Sequence, residues 1–172
     1  MPLYALGNRV PLIDPSAFVH PDAVIIGAVT VGPGSSIWPG AVLRGDSNTI
    51  TVGARTSIQD GAIIHCTRAE ATQIGDEVVV GHLAHMEGCT IGDGALVGSG
   101  SVVLPRAIIG AGALVAAGAV VPNDVEVPPG ALARGIPARI VEGAAPSEVI
   151  RESVDTYVHN ARWYSEELRR IN

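Results

Sequence analysis

The sequence predicts a mainly β protein: a parallel β-helix wound as a triangular prism, with one α-helix at its C-terminal end. Three observations carry this. Aliphatic residues recur every six positions from Ile13 to Val121. Hydrophobic residues make up 47% of the chain but aromatic ones only 3%, so the core must be Val, Ile, Leu and Ala in many thin layers. The 21 glycines and 12 prolines fall at short intervals along the 172 residues, as short strands joined by tight corners require.

Stepping by six from Ile13 gives Val19, Ile25, Val31, Ile37 and Leu43. The register then breaks and resumes as Val52, Ile58 and Ile64, as Ile74, Val80 and Met86, and as Ile91, Val97, Val103, Ile109, Val115 and Val121. Small residues such as Ala23, Ser35, Ala41, Ala62, Ala84 and Ala95 lie four positions further on, and glycine often follows the large residue directly, as at Gly32, Gly53 and Gly98. Neither a helical period nor two-residue alternation produces a strict six. Short strands with tight corners do, because the large residue fills the interior and the small one fits the corner. The pattern resembles hexapeptide-repeat proteins, and that resemblance implies a left-handed parallel β-helix, an exception to the usual crossover hand. About six coils are expected, a prism roughly 29 Å tall at strand spacing.

Beyond Pro122 the pattern fades, and the prolines and glycines of NDVEVPPGALARGIPAR are expected to end the coil. The expected units are therefore 1–143, the prism, and 144–172, the terminal helix. Ser147 is the expected N-cap, with Glu148 and Glu152 in the first turns, and the helix is expected to reach about Ile171. Its apolar stripe (Ile150, Val154, Tyr157, Ala161, Tyr164, Leu168 and Ile171) must be covered by the prism or by a neighbouring subunit.

A net charge of −6 without a Lys/Arg run argues against nucleic acid and anionic membranes as partners. No apolar run has membrane-spanning length, and the start, MPLYALGNRVPLID, has no signal-peptide core. Two cysteines do not make a disulfide framework, so Cys66 and Cys89 are expected as structural thiols in a cytoplasmic protein.

Chemistry concentrates between Ile58 and Thr90, which holds three of the five histidines. Sorting the repeat onto three faces stacks Leu43, Ile64 and Met86, so the residues after them, Arg44, His65 and Glu87, form one outward column. The next face carries Trp38, Gln59, Asp60 and His82. His82 lies around a corner, better placed to meet His65 of another subunit than its own. His20 and His159 are expected at the surface and Trp38 at a subunit contact, while Tyr157 and Tyr164 either pack or reach a neighbour's site.

Arg44-Gly45-Asp46, Gln59-Asp60, His65 and Gly81-His82 ahead of Gly88-Cys89-Thr90 resemble the γ-class carbonic anhydrases and their relatives. The resemblance covers nearly the whole chain. It implies a homotrimer with a metal site at each subunit interface, where three histidines, one from the neighbouring chain, hold Zn²⁺, with Fe²⁺ or Co²⁺ as alternatives. His65 and His82 match two of those ligands. Arg44 and Asp46 match a pair that ties subunits together, and Gln59 and Asp60 match residues around the metal-bound water. The implied activity is reversible hydration of CO₂ to bicarbonate by a metal-bound hydroxide.

Two departures leave alternatives open. The third family ligand is a histidine five residues after the His82 position, and here that residue is Glu87, while a histidine stands instead at 85. Glu87 is one candidate ligand and His85 another; a metal-free scaffold is the third reading. The column favours Glu87, and the paired gain and loss of histidine favours His85. Ser47 follows Asp46 where studied members carry glutamate, leaving Glu70 as the acid of the short loop that could carry protons. Two other function classes fit the prism: a hexapeptide acyltransferase using acyl-CoA with a histidine base, and a non-catalytic metal- or ligand-binding trimer.

Overall fold

The computed structural model describes residues 2–171; Met1 and Asn172, the outermost residues of the expected units, lie outside it. The chain winds into a parallel β-solenoid of about seven turns, followed by one helix. One face stacks Phe18–Val19, Ser36–Ile37, Ser57–Ile58, Val79–Val80, Leu96–Val97, Leu114–Val115 and Leu132–Arg134, all parallel. Along it Val19, Ile37, Ile58, Val80, Val97, Val115 and Ala133 lie in strict register. The second face stacks Ile25, Leu43, Ile64, Met86, Val103 and Val121. The third stacks Ile13, Val31, Val52, Ile74, Ile91, Ile109 and Val127. Every aliphatic position of the six-residue series thus enters one of three interior columns, and all but the terminal Ile13 and Val19 are buried.

The coil is longer than the sequence predicts. Val127 and Ala133, past the point where the pattern fades, are fully buried and in register with Ile109 and Val115. Prolines there occupy corners, where a missing N–H is harmless. The coil closes with Arg139–Val141, which turns back antiparallel on Leu132–Arg134 and shields that edge.

The terminal helix, α1, spans Ser147–Glu167. Two expectations are corrected here. Pro146 occupies the N-cap without a side-chain cap, so Ser147 is the first helical residue; proline's fixed φ suits entry to the first turn. The helix ends at Glu167, leaving Leu168 and Ile171 exposed. α1 packs on its own prism, across the face that carries Phe18, Ile37, Ile58 and Val80. It buries Ile150, Val154 and Ala161. Trp38, 5% exposed, lies beneath it against Phe18, Tyr157 and Tyr164. Its indole N–H reaches the hydroxyls of Ser36 (3.0 Å) and Ser57 (2.9 Å). Trp38 is therefore covered by its own chain, and both tyrosines are packing residues. Arg55 fastens the helix from outside, pairing with Asp155 at 3.2 Å and with Glu77 at 3.0 Å. Among the described residues no helix is long and apolar enough to cross a membrane.

Candidate metal centre

The three breaks in the six-residue period fall at one corner, directly after Arg44, His65 and Glu87. The break after Leu43 admits the longer path through Arg44–Thr49, and that after Ile64 the loop 66–71; at Gly88-Cys89 the chain is shortened. Arg44, His65 and Glu87 themselves are rung partners on three consecutive parallel strands. Strand spacing of about 4.8 Å then holds their side chains in one column.

His65 is the centre of this column, with a side chain 18% exposed. Its Nδ1 lies 2.7 Å from Glu87 Oε1 and its Nε2 lies 3.1 Å from Asp46 Oδ1. Arg44 pairs with the other oxygen of Asp46. Burial raises the Asp46 pKa, but hydrogen bonds from His65, Arg44 and Ser47 together with the Arg44 charge outweigh it and hold the carboxyl down at about 2. Asp46 is thus a firm anion that fixes the imidazole.

The ligand atoms of Asp46, His65 and Cys66 lie within 4.8 Å of one another. The Cys66 sulfur is already engaged, accepting the Asn48 N–H at 3.2 Å and reaching the Arg44 carbonyl at 3.8 Å, so it reads as a buried structural thiol. Cys89 is inert for a similar reason: burial pushes its pKa up to about 12. Imidazole flanked by carboxylates is donor chemistry that suits Zn²⁺ or Fe²⁺, so the residues present fit a divalent metal.

Within one chain the structure does not gather all the expected ligands. His82 is at the neighbouring corner, half exposed, with Nδ1 3.0 Å from Asp60 Oδ2. His85 and Glu87 flank the inward Met86, yet their rung partners differ. Glu87 adjoins His65, whereas His85 adjoins Ile63 and Val102. Gln59 is buried beside Asp60. Glu70 closes the 67–70 turn, where its N–H bonds Thr67 Oγ1 at 2.8 Å, and its charge is felt by Arg106. His20 is less exposed than expected, because Phe18 stacks edge-on against it and its Nδ1 accepts the Asp22 N–H at 3.1 Å.

Two residues at the site escape sequence reasoning. Thr72 is fully buried; its hydroxyl donates to the His65 carbonyl and accepts the Gly88 N–H at 2.8 Å. It clasps the backbones of the two strands that present His65 and Glu87. Only its place at a register break hints at this. Leu83, next to His82, has φ +59° and is 71% exposed. That left-handed conformation costs a side chain roughly 1–2 kcal/mol. A glycine-punctuated repeat gives a local signal, since glycine is the residue expected at such a corner.

Comparison with known proteins agrees with this architecture. The family model for the bacterial transferase hexapeptide (six repeats) matches residues 11–45, 71–105 and 88–123. Gamma carbonic anhydrase 2, mitochondrial, of Arabidopsis thaliana is 39% identical over 168 residues, covering 93% of this chain and 60% of the plant protein, so the chain spans well under the plant protein's full length. A Methanocaldococcus jannaschii protein named "Probable carbonic anhydrase" is 44% identical over 149 residues, covering 86% of this chain and 94% of the archaeal one. Among solved structures, a hexapeptide transferase family protein from Anaplasma phagocytophilum superposes with a TM-score of 0.91 at 36% identity, covering 95% of this chain and 98% of that one. A hexapeptide prism with three continuous interior columns, a histidine held between carboxylates, and relatives of this closeness lead to one assignment: the chain belongs to the hexapeptide-repeat family and, within it, to the γ-carbonic-anhydrase-like proteins.

Proposed function

We propose that this protein is a metal-dependent carbonic-anhydrase-like enzyme that interconverts CO₂ and bicarbonate as a homotrimer. The observation that carries the reading is the rung of His65 and Glu87, with Asp46 locking the opposite nitrogen of the imidazole. His65 and Glu87 of one chain and His82 of the next would hold the metal, with Zn²⁺ first and Fe²⁺ or Co²⁺ as alternatives. Glu87 is favoured over His85 because it is the rung partner of His65 and lies 2.7 Å from its ring. When bound, the metal supplies Lewis acidity and a water acidic enough to ionise near neutrality.

The chain's own residues do the rest. Asp46, anchored by Arg44, fixes the orientation of the His65 ring, as carboxylates beyond a metal's ligands commonly do. Asp60 holds Nδ1 of His82, which leaves Nε2 as the nitrogen to ligate. Gln59 and Asp60 orient the reacting oxygen. Glu70 is the acid available to pass protons to solvent.

The test is elemental analysis of the purified oligomer, with its mass from light scattering and CO₂ hydration by stopped flow. About one metal per chain is expected in a trimer, lost in His65→Ala and Glu87→Ala and kept in His85→Ala. Loss in His85→Ala with retention in Glu87→Ala would reverse the ligand assignment. A metal-free wild type that cannot be reconstituted would overturn the reading. The match to a transferase hexapeptide model favours a second reading, acyl transfer from acyl-CoA with a histidine base; saturable binding of acetyl-CoA is its signature.

A further inference from the structure

Leu83 occupies a position that the other coils on its own corner give to glycine; elsewhere in the solenoid the positive-φ corners that carry a side chain hold polar residues, Arg55, Glu77, Arg106 and Asp124. At the same corner of successive coils stand Gly40, Gly61, Leu83, Gly100 and Gly118, each donating its N–H to the coil below: to Asp22, Pro39, Asp60, His82 and Ser99. All five have positive φ, between +59° and +69°. Four of them present bare backbone, and Leu83 alone carries a side chain.

That side chain does not stabilise the fold by burial, being 71% exposed in a backbone conformation that disfavours it. It is nonetheless directed. A Cβ placed on Gly61 would come within 2.6 Å of Leu83 Cδ2, so the leucine lies down over the corner that follows Gln59 and Asp60. Its N–H bonds the Asp60 carbonyl at 2.9 Å, and its neighbour His82 bonds the Asp60 carboxylate at 3.0 Å. An apolar group, kept at a strained position and laid over Gly61 next to a polar pair, is the kind of local conflict that marks a functional constraint.

Building on the functional reading above, we propose that Leu83 is a specificity-determining residue, the apolar wall against which CO₂ rests beside the His82–Asp60 corner. CO₂ has no net charge or dipole and bonds poorly to polar groups, so a site walled only by Gln59, Asp60 and His82 would hold water in preference. A leucine branch excludes that water and leaves an apolar surface. Bicarbonate, charged and hydrated, gains nothing from it, so the residue acts through the affinity of the site for CO₂.

The position makes the test clean, because Leu83→Gly restores the residue that its corner favours and should fold at least as well as the parent. Leu83→Gly and the left-handed-tolerant, polar Leu83→Asn are compared with the apolar Leu83→Met. The expected result is unchanged metal content and trimer mass in all three, with melting temperatures no lower than the parent's. KM for CO₂ rises several-fold in the glycine and asparagine forms, with kcat far less affected, and Leu83→Met restores it. In CO₂-pressurised crystals the gas is expected against Leu83 in the parent and absent in Leu83→Gly. Kinetics of Leu83→Gly that match an active parent overturn the proposal alone, as does a trimer that dissociates on substitution, which would make Leu83 an assembly residue. A parent that takes up metal but neither hydrates nor binds CO₂ overturns the functional reading and this proposal with it.

Discussion

Thr72 shows how one buried hydroxyl can set the geometry of a site it does not enter. Its oxygen holds both the His65 carbonyl and the Gly88 N–H, so the two strands of the column are tied at the bend where each leaves the repeat. Replacing it with valine keeps the shape and leaves the Gly88 N–H and the His65 carbonyl with only their long mutual bond of 3.4 Å, at about 1–3 kcal/mol. Thr72→Val is therefore expected to lower the melting temperature by roughly 2–12 °C for a chain of this size and to weaken metal retention in dialysis. Thr72→Ser should restore both. Threonine at this place is invisible in the sequence, since hydroxyls at solenoid corners are common and the bond joins residues brought together only by coiling. His65 and Glu87 were legible, because counting by six stacks them. Asp46 was legible only as a motif neighbour; that its carboxylate meets the far nitrogen of His65 follows from the long path through residues 44–49.

At the scale of the strand and corner, the limit is how closely successive coils approach. Gly98 has no need of an unusual φ; it is glycine because a Cβ there would lie 2.5 Å from the Ala117 nitrogen and 2.7 Å from the Val115 carbonyl oxygen. Those atoms belong to the next coil's backbone and cannot rotate away. Gly98→Ala is expected to destabilise by about 3 kcal/mol, the upper part of the overpacking range, read as a lower urea midpoint. Alanine at Gly94, where a Cβ would meet nothing within 4 Å, suffers only from its positive φ and should cost less. The sequence revealed that glycine follows the inward residue, and the reason is this stacking contact. The ends of elements were less legible. The coil's last turn hides behind prolines because corners tolerate them, and the helix stops at Glu167, where Leu168 turns extended, although the apolar spacing continues to Ile171.

Over the whole molecule, the prism is built of aliphatic layers, and most of the aromatic residues gather where α1 meets it. Phe18, Trp38, Tyr157 and Tyr164 form a second, smaller core between helix and face. Trp38→Ala is expected to cost about 3–5 kcal/mol and to expose α1 to limited proteolysis while the strand signal in circular dichroism persists. The prism and its helix could be inferred from composition and period, whereas which surface receives the helix could not, because the stripe on α1 would suit any flat apolar partner. The course of that helix has a consequence for how the protein is made. α1 begins near Gly94 and Gly112 and runs back to Pro15 and Ser16, about 31 Å for its 21 residues. Coils can close one upon another as the chain leaves the ribosome, each templated by the one before. The coils that bear Phe18 and Trp38 must wait with bare rings until α1 is synthesised and folds back. They take shape before the segment that seals them, and until it arrives their aromatic face stands open to chaperones.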